Sequence, residues 1–177
     1  MVFLSEENVL RHKAFLKEMK LKYSVLEKSV PQISGKSIKE ISHLHVSCDD
    51  KDEILRLKSA ILLHEIYFDS FGDNFSKSDV IRKNYGSEAA LLYEIESLAM
   101  KNSNGGYVLI YNGAKNKPEF AVGSELSDVL IKFTPQLVID FYEHAYFLDY
   151  GFDKKRYLRS ALSALRLDKI DEFYKRY

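Results

Sequence analysis

The sequence predicts an α+β protein: an N-terminal antiparallel helical hairpin, then a C-terminal α/β lobe carrying a small three-stranded antiparallel sheet. Three observations predict it. The first seventy or so residues repeat apolar side chains at alternating spacings of three and four, the mark of amphipathic helices. Beyond residue 103 the period changes, and β-branched and aromatic runs flank a turn. The run "DFYEHAYFLDY", residues 140–150, then sets Asp140, Glu143 and His144 among Phe141, Tyr142, Tyr146, Phe147 and Tyr150, a density of charge that a plain core excludes.

The elements follow in order. Ser5 is a good N-cap, with Glu6 and Glu7 favourable in a first turn. Val9, His12, Leu16, Met19, Tyr23 and Leu26 then form one helical face, apolar except for His12. Pro31 and Gly35 in "VPQISGK" end that helix. "GKSIKEI" reads as a short helical start and "SHLHVSCDDKD" as a polar loop. A second helix carries Ile54, Leu57, Ile61, His64 and Phe68 on one face, again with a single histidine in the stripe. Two such helices packed antiparallel bring both histidines to one seam. "FGDNFSKSD" is a break, and helices rich in Ala and Leu surround Gly86. "NSNGGYVLIYNGAKNKPEFAVGS" reads as a hairpin and "DVLIKFTPQLVID" as a third strand leading into the 140–150 run. "KKRYLRSALSALRLDKIDEFYKRY" closes the chain as one amphipathic helix.

Composition narrows the classes of function. Hydrophobic content of 46% excludes disorder, and a formal net charge of zero leaves no basic excess for nucleic acid. No stretch approaches the apolar length that spans a membrane, and the start carries no secretory h-region. The lone Cys48 permits no internal disulfide, so a cytoplasmic protein is expected. "HLHVSC", with His43, His45 and Cys48, reads as a solvated loop rather than a soft-metal site.

Asp140 and His144, four residues apart, reach one point; with His12 and His64 the set is three imidazole nitrogens and one carboxylate oxygen. Such a mixed set suits iron, manganese or zinc and lacks the thiolates of a structural zinc site. A single histidine in an apolar stripe is ordinarily a hydrogen-bonded core residue. Two on adjacent helices, with an aspartate and a third histidine in an aromatic nest, favour a metal.

The run at 140–150 resembles the D-x-W-E-H-A-Y signature, with its following D-Y, of the iron/manganese superoxide dismutases, with Tyr142 in place of the tryptophan. "LSEENVLRH", "GKSIKEI", "LLHEIYF", "NSNGGYVLIYN" and "TPQLVID" are similar to further segments of that family, so the likeness runs along nearly the whole chain. It implies metal ligands His12, His64, Asp140 and His144, one Fe or Mn ion per subunit, superoxide as substrate, and a homodimer without nucleic-acid or membrane partners. It also implies that Glu143 and Tyr146 stand at the subunit contact and behind the ligands. The domains expected are a helical hairpin over 1–72 and an α/β domain over 73–177, with the metal site between them.

The departures are as specific. Family members hold a glutamine against metal-bound solvent, either four residues before the second histidine or in the hairpin. Here the first place is Ala60, the hairpin has none, and Gln32 and Gln136 match neither. The family's gateway tyrosine falls on Lys20, a histidine of the same helix on Leu16, and two pocket tryptophans on Phe68 and Tyr107. Glu143, Tyr146, Tyr107 and Lys20 are therefore the residues expected to support catalysis. The activity implied is dismutation of superoxide to dioxygen and hydrogen peroxide, slower than in typical relatives. The alternative is a mononuclear iron or manganese oxidase of the same fold, with an organic substrate near Ala60, Leu16 and Lys20.

Overall fold

A computed structural model describes residues 3–72, 76–124 and 126–175; the side chains of Cys48 and Asp49, and residues 73–75 of the expected break, lie outside that description. Helix α1 (Glu6–Ser29) starts where Ser5 accepts a hydrogen bond from the Asn8 amide, and a 3-10 turn (Pro31–Ile33) follows it. Helix α2 (Ile38–Ser42) opens with a capping box between Ser37 and Glu40. Helix α3 (Cys48–Asp69) begins inside the stretch expected to be a loop, because the Ser47 side chain accepts from the Asp50 amide. Acidic residues belong in a first turn, so the polar sequence there marks a helix start rather than a coil.

The expected antiparallel hairpin of α1 and α3 is present. Away from the histidines its seam is an apolar cluster of Met19, Tyr23, Ile33, Ile41, Ile54 and Ile61. Helices α4 (Asp79–Tyr85) and α5 (Glu88–Lys101) meet at Gly86, whose φ of 80° closes the α4 end. Strands β1 (Tyr107–Asn112) and β2 (Pro118–Gly123) form the hairpin, and β3 (Pro135–Asp140) lies on the other side of β1, giving an antiparallel sheet in the order β2-β1-β3. The front of the expected third strand is instead helix α6 (Ser127–Lys132). Its apolar run Val129–Ile131 is too short for periodicity to separate strand from helix.

Helix α7 (Glu143–Tyr150) follows β3 directly. The expected closing helix is two, α8 (Lys154–Ser163) and α9 (Asp168–Lys175). Tertiary hydrogen bonds break it: the Gly72 amide donates to the Ala164 carbonyl and the Arg166 amide to the Ser70 carbonyl, each at 2.9 Å. These satisfy backbone groups that a continuous helix would have paired within itself.

The main core lies between the sheet and the helices, with Leu63, Tyr67, Leu109, Val138, Ile139, Phe141 and Leu158 all buried. Burying each such side chain contributes about 1.5–3 kcal/mol. Two polar ties set the approach of the elements that matter below. The Val138 amide donates to Ser70 Oγ at 2.8 Å, joining β3 to the residue after α3. Asp149 on α7 accepts from the Ser5 amide and from Asn8 Nδ2, both at 2.9 Å, joining α7 to the start of α1. Gly105, just before β1, has φ 81°, and a Cβ there would stand 2.8 Å from the Tyr142 ring, so only glycine lets these chains approach. No helix among the described residues is long and apolar enough to cross a membrane.

Candidate metal centre

Four elements converge on one point. His12 comes from the second turn of α1, His64 from the C-terminal half of α3, Asp140 from the end of β3 and His144 from the first turn of α7. One ligand atom from each lies within 4.8 Å of all the others. The imidazole Nε2 atoms of His12 and His64 are each 3.4 Å from Asp140 Oδ2, and that of His144 is 3.1 Å from it. Around a tetrahedral or bipyramidal ion with bonds of about 2.1 Å, neighbouring donors stand roughly 3.0–4.2 Å apart.

Protons decide what this arrangement can hold. His64 Nδ1 lies 2.8 Å from the Ala60 carbonyl, an acceptor only, so that nitrogen carries the hydrogen. In the neutral ring Nε2 is then bare, and its lone pair faces the lone pairs of Asp140 Oδ2. Protonating His64 would relieve the contact, but burial pushes its pKa down, more than the Asp140 charge raises it. Neither ring nitrogen of buried His12 has a hydrogen-bond partner among the described residues. Burial works on Asp140 in the opposite sense; polar contacts with His12 and His144 outweigh it and hold the carboxyl well below the usual carboxylate range. The result is an ionised carboxylate and inward-facing nitrogens around one point. The donor set fits a cation: a metal ion there would replace lone-pair repulsion with bonds.

Surrounding groups orient the cluster. Asp140 Oδ1 accepts from the Tyr142 amide at 2.9 Å, and the Tyr157 hydroxyl donates to the Asp140 carbonyl. Tyr157 also meets the Tyr67 hydroxyl at 3.3 Å, and the Tyr67 ring packs 4.9 Å from His12. Phe68 lies 5.1 Å from His12, and Phe15 is 4.8 Å from the His144 ring, which stacks on Tyr142 at 5.8 Å. The sequence alone does not point to Phe15, Tyr67 or Tyr157 as neighbours of the ligands. Tyr67 was findable, three residues after His64 on the same helical face; nothing local links Tyr157 or Phe15 to the ligands.

The other residues expected to support catalysis fall differently. Tyr107 is buried opposite Asp140 in the β1–β3 register, 6.0 Å from His64 between ring centres, and burial followed by the Asp140 charge pushes its pKa up. Tyr146 is buried and stacked 4.7 Å from Tyr157. Glu143 is exposed at the start of α7. Lys20 forms a 2.6 Å ion pair with half-exposed Glu65 on α3. Beside His64 and His144 opens a cavity of about 400 Å³ that Ala60 and Tyr107 help to line; Leu16 and Lys20 are not among its lining residues.

Residues 73–173 match the family model of the iron/manganese superoxide dismutases, C-terminal domain, and the chain belongs to that family. It is also similar to an iron superoxide dismutase of Cupriavidus metallidurans, with 30% identity over 114 residues. That likeness covers 61% of this chain and 58% of the bacterial protein, so the chain matches little more than half of that relative's length.

Proposed function

We propose that the protein is a metal-dependent superoxide dismutase holding one iron or manganese ion per subunit at His12, His64, Asp140 and His144. The observation that carries this reading is the convergence of three Nε2 atoms on Asp140 Oδ2 at 3.1–3.4 Å, with His64 Nδ1 committed to the Ala60 carbonyl. Bound there, a metal cycling between its 3+ and 2+ states supplies the electron exchange that turns superoxide into dioxygen in one half-reaction and hydrogen peroxide in the other. The protein's own part is to hold and orient the ligands. Asp140 supplies the single negative charge, and the Ala60 carbonyl keeps His64 in its metal-binding tautomer. The hydroxyl of buried Tyr107 keeps its proton.

Ala60 stands where relatives of this kind place a glutamine, so we propose turnover slower than in those relatives. A second copy of the chain suits the exposed rim beside the cluster. His144 keeps 36% of its side chain open, next to Phe147 at 46% and Phe152 at 85%, with exposed Glu143 among them. Such an apolar rim marks an interaction surface.

The deciding experiment measures metal content by elemental analysis and dismutation per bound metal on one purified sample. Near-stoichiometric iron or manganese with measurable, sub-diffusional dismutation is the expected result. A fully loaded protein without dismutation would overturn the activity, and a protein that takes up neither metal would overturn the site.

A further inference from the structure

Two large polar side chains lie fully buried behind the ligands, Tyr67 on α3 and Tyr157 on α8. Burial pushes the pKa of both phenols up, so each keeps its hydrogen. The Tyr157 hydroxyl gives that hydrogen to the Asp140 carbonyl, which can only accept. Tyr157 then has only an oxygen lone pair to offer Tyr67, 3.3 Å away, so Tyr67 is the donor. The hydrogen bonds therefore run one way, from Tyr67 through Tyr157 to the backbone of a ligand residue.

Sheet geometry explains why that carbonyl needs a partner. In the order β2-β1-β3, β3 is an edge strand. Asp140 stands opposite Tyr107, and the Phe141 amide donates to the Gly106 carbonyl at 2.8 Å. That bond makes Tyr107 and Asp140 a non-hydrogen-bonded pair, in which the backbone groups of Asp140 point away from β1. A buried carbonyl outside the ladder must be paired elsewhere, and Tyr157 pairs it.

The same ring touches the elements that carry the other ligands. It stacks 4.7 Å from Tyr146 and lies 5.5 Å from Tyr150, both on α7 with His144. Phe3, ahead of α1, is 6.0 Å from it. Tyr67 follows His64 by about one helical turn, and its ring is 4.9 Å from His12. Asp140 Oδ2 stands 3.1–3.4 Å from three imidazole nitrogens, a spacing set by where the end of β3 is held. Ring packing fixes Tyr157, and its hydroxyl carries that placement to Asp140.

We propose that Tyr157 is a positioning residue of the centre: its hydroxyl, oriented by Tyr67, fixes the end of β3 and so the distance from Asp140 Oδ2 to the histidines. The inference rests on the metal site proposed above and adds to it a group that touches neither ion nor substrate.

The test compares the native chain with Tyr157→Phe, Tyr67→Phe and the double variant. Competition with a chromophoric chelator reads manganese(II) affinity, and the visible spectrum of bound cobalt(II) reads the arrangement of the donors. Tyr157→Phe keeps the ring and should still take one ion per chain, roughly 10- to 100-fold more weakly, the usual loss when an outer partner of a ligand is removed. Its cobalt bands should shift. Tyr67→Phe leaves the bond to Asp140 and should lose less. The double variant should bind no more weakly than Tyr157→Phe, because Tyr67 acts through Tyr157. Ile54→Ala, in the apolar part of the α1–α3 seam, controls for stability alone and should leave affinity and spectrum native. Tyr157→Phe that behaves like Ile54→Ala, less stable but with native affinity and spectrum, would overturn the proposal. Losses that add in the double variant would overturn the relay from Tyr67. A native chain that binds neither metal would overturn the site itself, a result distinct from native affinity retained by Tyr157→Phe.

Discussion

Helices α1 and α3 meet along a seam that is built in two ways. At one end Met19, Tyr23, Ile33, Ile41, Ile54 and Ile61 close on one another as an ordinary apolar core, with Ile33, Ile41 and Ile54 fully buried. At the other end the same helices bury His12 and His64 against Asp140. The apolar end stabilises the fold by removing surface from water. The polar end works against it: burial pushes His64 toward the neutral form, and its bare nitrogen then faces a carboxylate. One end therefore sustains the hairpin, and the other draws on that stability to hold an unfavourable set of groups ready for a cation.

If that division is correct, substitutions at the two ends must have opposite signatures. The largest effect is expected from Asp140→Asn, which removes the carboxylate that faces the three imidazoles. Metal affinity should fall by at least about 100-fold, as losing a ligand should exceed the usual loss from an outer partner. Competition with a chromophoric chelator measures it, and retained affinity would sever the cluster from metal binding.

Ile54→Ala should do the reverse. It should cost about 2–5 kcal/mol of stability by emptying a fully buried site, read from denaturant midpoints, while metal per folded chain stays unchanged. A metal loss comparable to that of Asp140→Asn would erase the distinction between the ends.

The smallest expected effect is in pH. His64 has a folded pKa below its unfolded one, so in the metal-free chain the unfolded state binds more protons as acidity rises. Its contribution is whole above about pH 6.5 and is lost as pH falls toward the folded pKa. Urea midpoints of metal-free protein should decline below that pH, and His64→Gln should flatten the decline. A slope unaltered by that substitution would place the sensitivity elsewhere.

The two ends were legible in the sequence to different degrees. The apolar faces of α1 and α3 repeat every three or four residues, so the hairpin could be read from spacing. The four clustered residues could be read because His12 and His64 interrupt those faces and because Asp140 and His144 share a specific motif. What the sequence does not display depends on tertiary contact. The split between α8 and α9 comes from backbone bonds to Ser70 and Gly72, nearly a hundred residues away. Tyr157 reaches the Asp140 carbonyl across 17 residues with no local pattern behind it. The cavity, finally, forms where Ser59 and Ala60 of α3 meet Ser124, which lies far along the chain.

The hydrogen bond from His64 to the Ala60 carbonyl has a consequence for how such a protein can change. Position 60 serves twice, through its backbone and through its side chain. Almost any residue there presents the same carbonyl, so exchange of one amino acid for another leaves the tautomer of His64 intact. Its side chain is one of those that set how much room lies beside the cluster. A lineage can therefore widen, narrow or repurpose that space by single substitutions without disturbing the tautomer that leaves His64 Nε2 bare.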